Sequence, residues 1–232
     1  MEVGWSTKKQ IRRLVLSRTY RLSSSHDAVN VEADPDNALL WRMSKRRLEA
    51  EALRDSLLEV AGRLDKTPPA SSPAAVNGDG NNFALMRGLS KLDSGDRQRA
   101  VYLPVIRDSV VESLAIFDFP DATLVSGQRS TTNVPAQGLY LLNGPFVLGH
   151  SEAAAERLLS EGSDDAHRLK LAYLRFLGRP PTDTERKASE QFLARYPEIL
   201  AADGVPAAKR PLAVWTALCQ ALVVSADFLF VR

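Results

Sequence analysis

The stretch LAVWTALCQALVVSADFLF, residues 212–230, decides the fold class. At 3.6 residues per turn its apolar side chains fall on nearly every face, the pattern of a helix buried in the centre of a domain. A central helix needs others around it. The sequence supplies them, and supplies no run of alternating residues long enough for a large sheet. DDAHRLKLAYLRFL, residues 164–177, places Leu169, Ala172, Tyr173 and Phe176 on one side and stops at Gly178. Thr182 and Glu185 form a capping box for the next helix, on which Phe192, Leu193, Tyr196 and Leu200 make a stripe. The short connections predict antiparallel packing around the last helix.

Working toward the N-terminus, Pro135 opens an apolar helix, AQGLYLLN, and Gly144-Pro145 separates it from another. Ser109 and Glu112 predict a capped short helix carrying Val110, Val111, Leu114 and Phe117. RAVYLPVIR, residues 99–107, reads as the one short extended segment, kept to an edge by Pro104. Residues 65–82, DKTPPASSPAAVNGDGNN, have little to bury and read as a flexible loop within the domain. The longest helical pattern is 34–64, begun by Asp34-Pro35 after a polar loop at 23–33, with a break near Ser44. Thr7 and Gln10 predict a capping box for a first helix. Its Ile11, Leu14, Val15 and Leu22 lie opposite Lys8, Lys9, Arg12 and Arg13. The expectation is a mostly α, single helical domain over 1–232, with one short extended segment and a long polar central loop.

Composition narrows function by exclusion. With 30 basic and 28 acidic residues the net charge is +2, which selects no charged partner. One cysteine, Cys219, precludes an internal disulfide and a cysteine-rich zinc site, and no CxxCH haem attachment occurs. No run of about 18 apolar residues predicts a membrane span, and no apolar leader marks a signal peptide. His26, His150 and His167 lack metal spacing, so no metal site is expected. Neither a GxSxG elbow nor a phosphate-binding loop is present. The basic first helix offers an anion or nucleic-acid reading, disfavoured because no aromatic residues interleave its cations. Cys219, on the apolar final helix, reads as an inert buried thiol.

The candidate chemistry sits in FDFPDATLVSGQRSTTNVPAQGLYLLNGPF, residues 117–146. Asp118 and Asp121 could coordinate a cation, work as an acid/base pair, or cap turn amides. Arg129 could fold back onto Asp118 or Asp121 as a clamp, or grip an anion in a cleft. Thr131, Thr132 and Asn133 can cap the Pro135 helix. Gln137 and Asn143 are polar groups on an apolar helix and read as loop tethers. A second polar cluster comprises Arg46, Arg47, Glu49, Glu51, Arg54 and Asp55. Within it Arg46 and Glu49 form an expected ion pair, and Arg47, Glu51 and Asp55 share a face at four-residue spacing.

Seven strings occur in order: GWSTKKQIRRLVLSRTYRLSS, NALLWRMSKRRLEAEALRDSLLEVAGRL, RAVYLPVIR, FDFPD, QRSTTNVPAQGLYLLNGPF, AYLRFLGRPPTDTE and WTALCQALVVSADFLFV. Together they resemble the C-terminal domain of unknown function "fifteen-fifty-three" of planctomycete cytochrome-c-associated proteins. The family-like positions are Arg47, Glu49, Glu51, Arg54, Asp55, Asp118, Asp121, Arg129, Pro135, Gln137 and Asn143. The chain departs at Ala122, at Gly138, and where VVSADF replaces an asparagine-rich turn.

The resemblance implies a long, exported multidomain protein, periplasmic or extracellular, with haem c carried only on an upstream domain. It implies two upstream partner domains, a cytochrome c domain and a second one of unknown function. It also implies a polysaccharide-degradation setting. On that reading this chain is a piece of a longer protein or a separately encoded remnant. It is a non-catalytic accessory or interaction module; the alternative is a hydrolytic or redox-linked enzyme domain acting on a polysaccharide-related ligand.

Overall fold

A computed structural model describes residues 4–70, 97–105, 110–121, 123–125 and 127–231. The chain is mostly α, with ten α-helices and one two-stranded antiparallel sheet among the described residues. Contacts divide it into two units, Met1–Arg47 with Phe230–Arg232, and Leu48–Leu229.

In the first unit, α1 spans Thr7–Val15 and α2 spans Ala28–Ala33. The cap of α1 is Ser6 rather than Thr7: its side chain accepts from the Lys9 amide at 3.4 Å. No residue of α1 is buried. The helix expected from Asp34 does not form. Its carboxylate instead accepts from the amides of Ala38 and Leu39 at 3.0 and 2.8 Å. Asn37 donates to the Arg42 carbonyl at 2.9 Å and accepts from the Arg42 amide at 3.2 Å. These side chains offer the backbone partners that a helix would otherwise supply. Asn37 and Leu40 have positive φ, which no right-handed helix admits. The helix arises earlier, at α2, where Asp27 accepts from the Asn30 amide at 2.9 Å within the expected polar loop. Strands β1 (Arg46–Arg47) and β2 (Phe230–Val231) pair Arg46 with Val231 and Arg47 with Phe230.

The second unit holds the core. Its helices are α3 (Ala50–Val60), α4 (Glu112–Ala115), α5 (Pro135–Asn143), α6 (Pro145–Glu161), α7 (Asp165–Leu177), α8 (Asp183–Ala202), α9 (Arg210–Val224) and α10 (Ala226–Leu229). The sequence reading of a central last helix holds. Val214, Trp215, Leu218, Cys219, Leu222 and Val223 of α9 are buried, and α9 packs chiefly on α6. There it meets a face built from Val147, Ala154, Ala155 and Leu158. The two alanines leave room for the larger α9 side chains. Truncating one of those, as in Leu218→Ala, costs about 2–5 kcal/mol in such a site.

Gly178 ends α7 at φ 68°, the left-handed cap that glycine adopts without a Cβ clash. Gly144 separates α5 from α6 because a Cβ there would meet the Tyr140 carbonyl at 2.6 Å. Thr182 and Glu185 form the expected capping box.

The extended reading of 99–107 is corrected. Ala100–Tyr102 is a turn of 3-10 helix, and residues 106 and 107 lie outside the described residues. The Asp55 carboxylate takes the Ala100 amide at 2.7 Å, which curls the chain there. An isolated parallel bridge joins Asp65 to Gln98. Most of the 65–82 loop and Ser109 of the expected capping box also lie outside the described residues. The first residue before α4 is Val111, which provides no side-chain cap.

Candidate functional site

The turn at Phe117–Asp121 is anchored by its aromatic residues. Phe117 is buried and meets the Tyr140 ring edge-on at 5.9 Å, while Phe119 packs against the core from a half-buried position. Between them Asp118 stands at φ 62°, a conformation that few non-glycine residues adopt and that Asp tolerates better than most. Its carboxylate faces the loop fourteen residues on. It accepts from the Thr132 amide at 2.9 Å, the Thr132 hydroxyl at 2.7 Å and the Gln137 side-chain amide at 3.5 Å.

Gln137 is 5% exposed and completes the knot. Its Nε2 donates to the Ile116 carbonyl at 3.0 Å and to Thr132 Oγ1 at 3.2 Å, while its Oε1 accepts from the Val134 amide at 3.4 Å. Thr132 therefore serves Asp118 instead of capping α5. The residue that caps α5 is Val134, with no side-chain bond of its own. Asp121 does what Asp does in turns: it accepts from the amide and hydroxyl of Thr123 at 2.8 and 2.7 Å. Those bonds hold its carboxyl below the usual range.

Arg129 is an internal clamp, but on another partner. Its two terminal nitrogens donate to the two Glu51 oxygens at 2.7 and 2.9 Å, and Glu49 stands 3.2 Å from the same guanidinium. The guanidinium also lies 6.0 Å from the Phe119 ring centre. Burial pushes the Glu51 carboxyl upward, yet the Arg129 hydrogen bonds, its own amide and the guanidinium charge leave it lowered. The expected bond from Arg129 to Asp118 or Asp121 is thus replaced by a bridge to the first turn of α3, 78 residues away in sequence. Sequence periodicity carries no signal for a contact so distant. The sequence suggests Arg46 as the partner of Glu49 and sets Glu51 on a face with Arg47 and Asp55, so nothing local points to Arg129.

The second cluster separates accordingly. Arg46 and Arg47 belong to β1, and Glu49 faces Arg129 instead of Arg46. Arg54 is 1% exposed, donates to the Gln98 carbonyl at 2.9 Å and lies over the Phe146 ring at 5.6 Å. Asp55 holds the Ala100 amide and lies 3.5 Å from Arg99. These two residues fasten the 97–102 segment to α3. Asn143 is exposed and donates to the Leu139 carbonyl of its own helix at 3.1 Å, so it tethers no loop.

Sequence reasoning misses the Arg179 lock, and reads each histidine only as a surface or satisfied structural residue. His150 is buried, with Nδ1 2.7 Å from the Phe146 carbonyl and its ring against Phe146 at 4.3 Å. Burial lowers its pKa, the Phe146 carbonyl opposes that, and Arg63, Arg54 and Arg97 add to the lowering. Burial thus disfavours its charged form, and the ring is structural. Arg179 gives both terminal nitrogens to Glu185 at 2.7 Å and reaches Asp227 at 2.5 Å. This lock ties the α7–α8 turn to α10 through the VVSADF segment. Cys219 is buried, and burial pushes its thiol up to about 12.

Chemically, the two aspartates of 117–137 are taken up by threonine, glutamine and backbone donors of the loop, and Arg129 by α3 and Glu49. Among the described residues no three His, Cys, Asp or Glu side chains converge as a metal set. A surface depression lined by Gly62, Arg63, Glu156, Arg157 and Ser160 contains none of the candidate residues.

Compared with known proteins, residues 1–193 match the family model PSD1, described as "Protein of unknown function (DUF1553)". The match ends within α8, before α9 begins. No curated protein and no solved structure matches.

Proposed function

The chain belongs to the DUF1553 family of proteins of unknown function, and we propose that it is a non-catalytic interaction domain of an exported, cytochrome-c-linked multidomain protein. The observation that carries this reading is the use of the polar loop. Asp118 is saturated by Thr132 and Gln137, and Arg129 is held bidentate by Glu51. A catalytic acid/base pair needs a face turned to substrate, whereas these groups face the protein. The second unit also turns an apolar pair outward: Leu139 and Leu142, three residues apart on one face of α5, are 59% and 50% exposed. Exposed apolar pairs of that kind suit a partner domain. The partner implied by the family is the upstream cytochrome c domain together with the second domain of unknown function, in the periplasm or outside the cell.

The enzyme reading draws on a different observation, that Glu49 is 57% exposed beside Arg129. One experiment separates the two. The chain is mixed with a polypeptide comprising the two upstream domains, and association is followed by light scattering after gel filtration. Turnover of neutral and sulfated polysaccharides is measured in parallel. Association that falls at least about tenfold in Leu139→Asp/Leu142→Asp, without turnover, is expected. Turnover abolished by Glu49→Gln in a folded protein would overturn the proposal.

A further inference from the structure

Between Gly4 and Ser25 stand six cations, Lys8, Lys9, Arg12, Arg13, Arg18 and Arg21, and no carboxylate. Against a total of 30 basic and 28 acidic residues, the other 24 basic residues leave the remainder of the chain at −4. The near-neutral total therefore conceals a concentrated positive segment. None of the six forms an ion pair with a described carboxylate. Of the acids in the same unit, Asp27 caps α2 and Asp34 holds the amides of Ala38 and Leu39.

The same helix is strongly two-faced. At 100° per residue, Ile11, Leu14 and Val15 cover one sector of α1, Lys9, Arg12 and Arg13 cover the opposite one, and Lys8 borders the apolar sector beside Val15. Among the described residues the apolar sector is not buried: Ile11 is 55%, Leu14 56% and Val15 37% exposed. Trp5 beside it is 87% exposed and Tyr20 51%. Two independent features thus coincide on a nine-residue helix, an uncompensated positive charge and an open apolar stripe with flanking aromatics.

We infer that α1 docks on the surface of an anionic lipid bilayer. Ile11, Leu14 and Val15 enter the boundary between headgroups and acyl chains, the cations meet lipid phosphates, and Trp5 and Tyr20 sit at headgroup level. A basic amphipathic helix with aromatic flanks has the composition that this boundary selects. A nucleic acid would satisfy the cations and leave the apolar stripe in water. At about 1.5 Å per residue the helix is long enough to lie in the interface and far too short to cross it.

The test uses the full chain in sedimentation with vesicles of phosphatidylcholine alone or of equal phosphatidylcholine and phosphatidylglycerol, at low and high salt. Binding to the anionic vesicles at least about tenfold tighter than to the neutral ones is expected. Lys8→Gln/Arg12→Gln weakens it on the order of fivefold per cation. Ile11→Asp/Leu14→Asp abolishes it with the urea midpoint unchanged, because neither side chain belongs to the core. Equal binding to both vesicles, or none to the anionic ones, overturns the inference. So does a chain that binds duplex DNA and whose Ile11→Asp/Leu14→Asp variant keeps its vesicle affinity.

Discussion

Replacing Asp118 probes the loop knot most completely, because three substitutions remove different parts of its role. Asp118→Ala removes two short bonds to Thr132, at 2.9 and 2.7 Å, and the longer one from Gln137. Bonds to a charged acceptor are worth roughly 1.5–3 kcal/mol each when buried. The site is only half-buried, so about 1–2 kcal/mol is expected for the set. Alanine must in addition hold φ near 62°, which adds about 1 kcal/mol. Asp118→Ala should therefore cost about 2–3 kcal/mol. Asp118→Gly loses the same bonds without the conformational strain, and should be up to about 1 kcal/mol milder. Asp118→Asn keeps one acceptor oxygen and tolerates the left-handed region, so it should cost least, about 1 kcal/mol. Urea unfolding followed by the fluorescence of Trp215, 3% exposed in α9, measures all three. An alanine variant within about 0.5 kcal/mol of the parent, or a glycine variant worse than alanine, would refute the reasoning.

Further outcomes follow from the titratable groups. The Arg179 hydrogen bonds dominate in lowering the Glu185 carboxyl from 4.5 to about 2, so its stabilisation is present above about pH 4.5 and is lost as pH falls toward 2. The shift converts to about 3 kcal/mol at most, and partial exposure of both side chains reduces that to about 1–2 kcal/mol. Glu185→Gln should trail the parent by that amount at pH 7, and in urea titrations the gap should narrow below about pH 4.5 and close near pH 2. Cys219, fully buried with its thiol pushed up to about 12, should react with a thiol reagent only as fast as the protein unfolds. Rapid labelling under native conditions would place α9 at the surface.

The parts of the fold that were legible in the sequence are those set by local rules. α7, α8 and α9 follow from apolar periodicity, from the Thr182–Glu185 capping box and from Gly178, all confined to a few neighbouring residues. The failure at 34–49 is also local, but it turns on which backbone group a side chain captures. Asp34 and Asn37 bind amides and carbonyls four or five residues on, defeating a helix that Leu39, Leu40 and Trp41 would otherwise suggest. The sequence suggests extended structure at 99–107 because nothing in it reveals that Asp55 takes the Ala100 amide.

The site divides the same way. Capping by Asp121 and tethering by Gln137 follow from residue type and position. The choice of Glu51 by Arg129 depends on where α3 comes to rest, which only the assembled core determines.

The most direct test of the brace is a double-mutant cycle on Arg129→Gln and Glu51→Gln, read as unfolding free energy. With bidentate bonds of 2.7 and 2.9 Å between a guanidinium 39% exposed and a carboxylate 23% exposed, a coupling of about 1 kcal/mol is expected. Zero coupling, together with an Arg129→Gln variant of unchanged stability, would contradict the brace and return Arg129 to the role of a ligand-gripping residue.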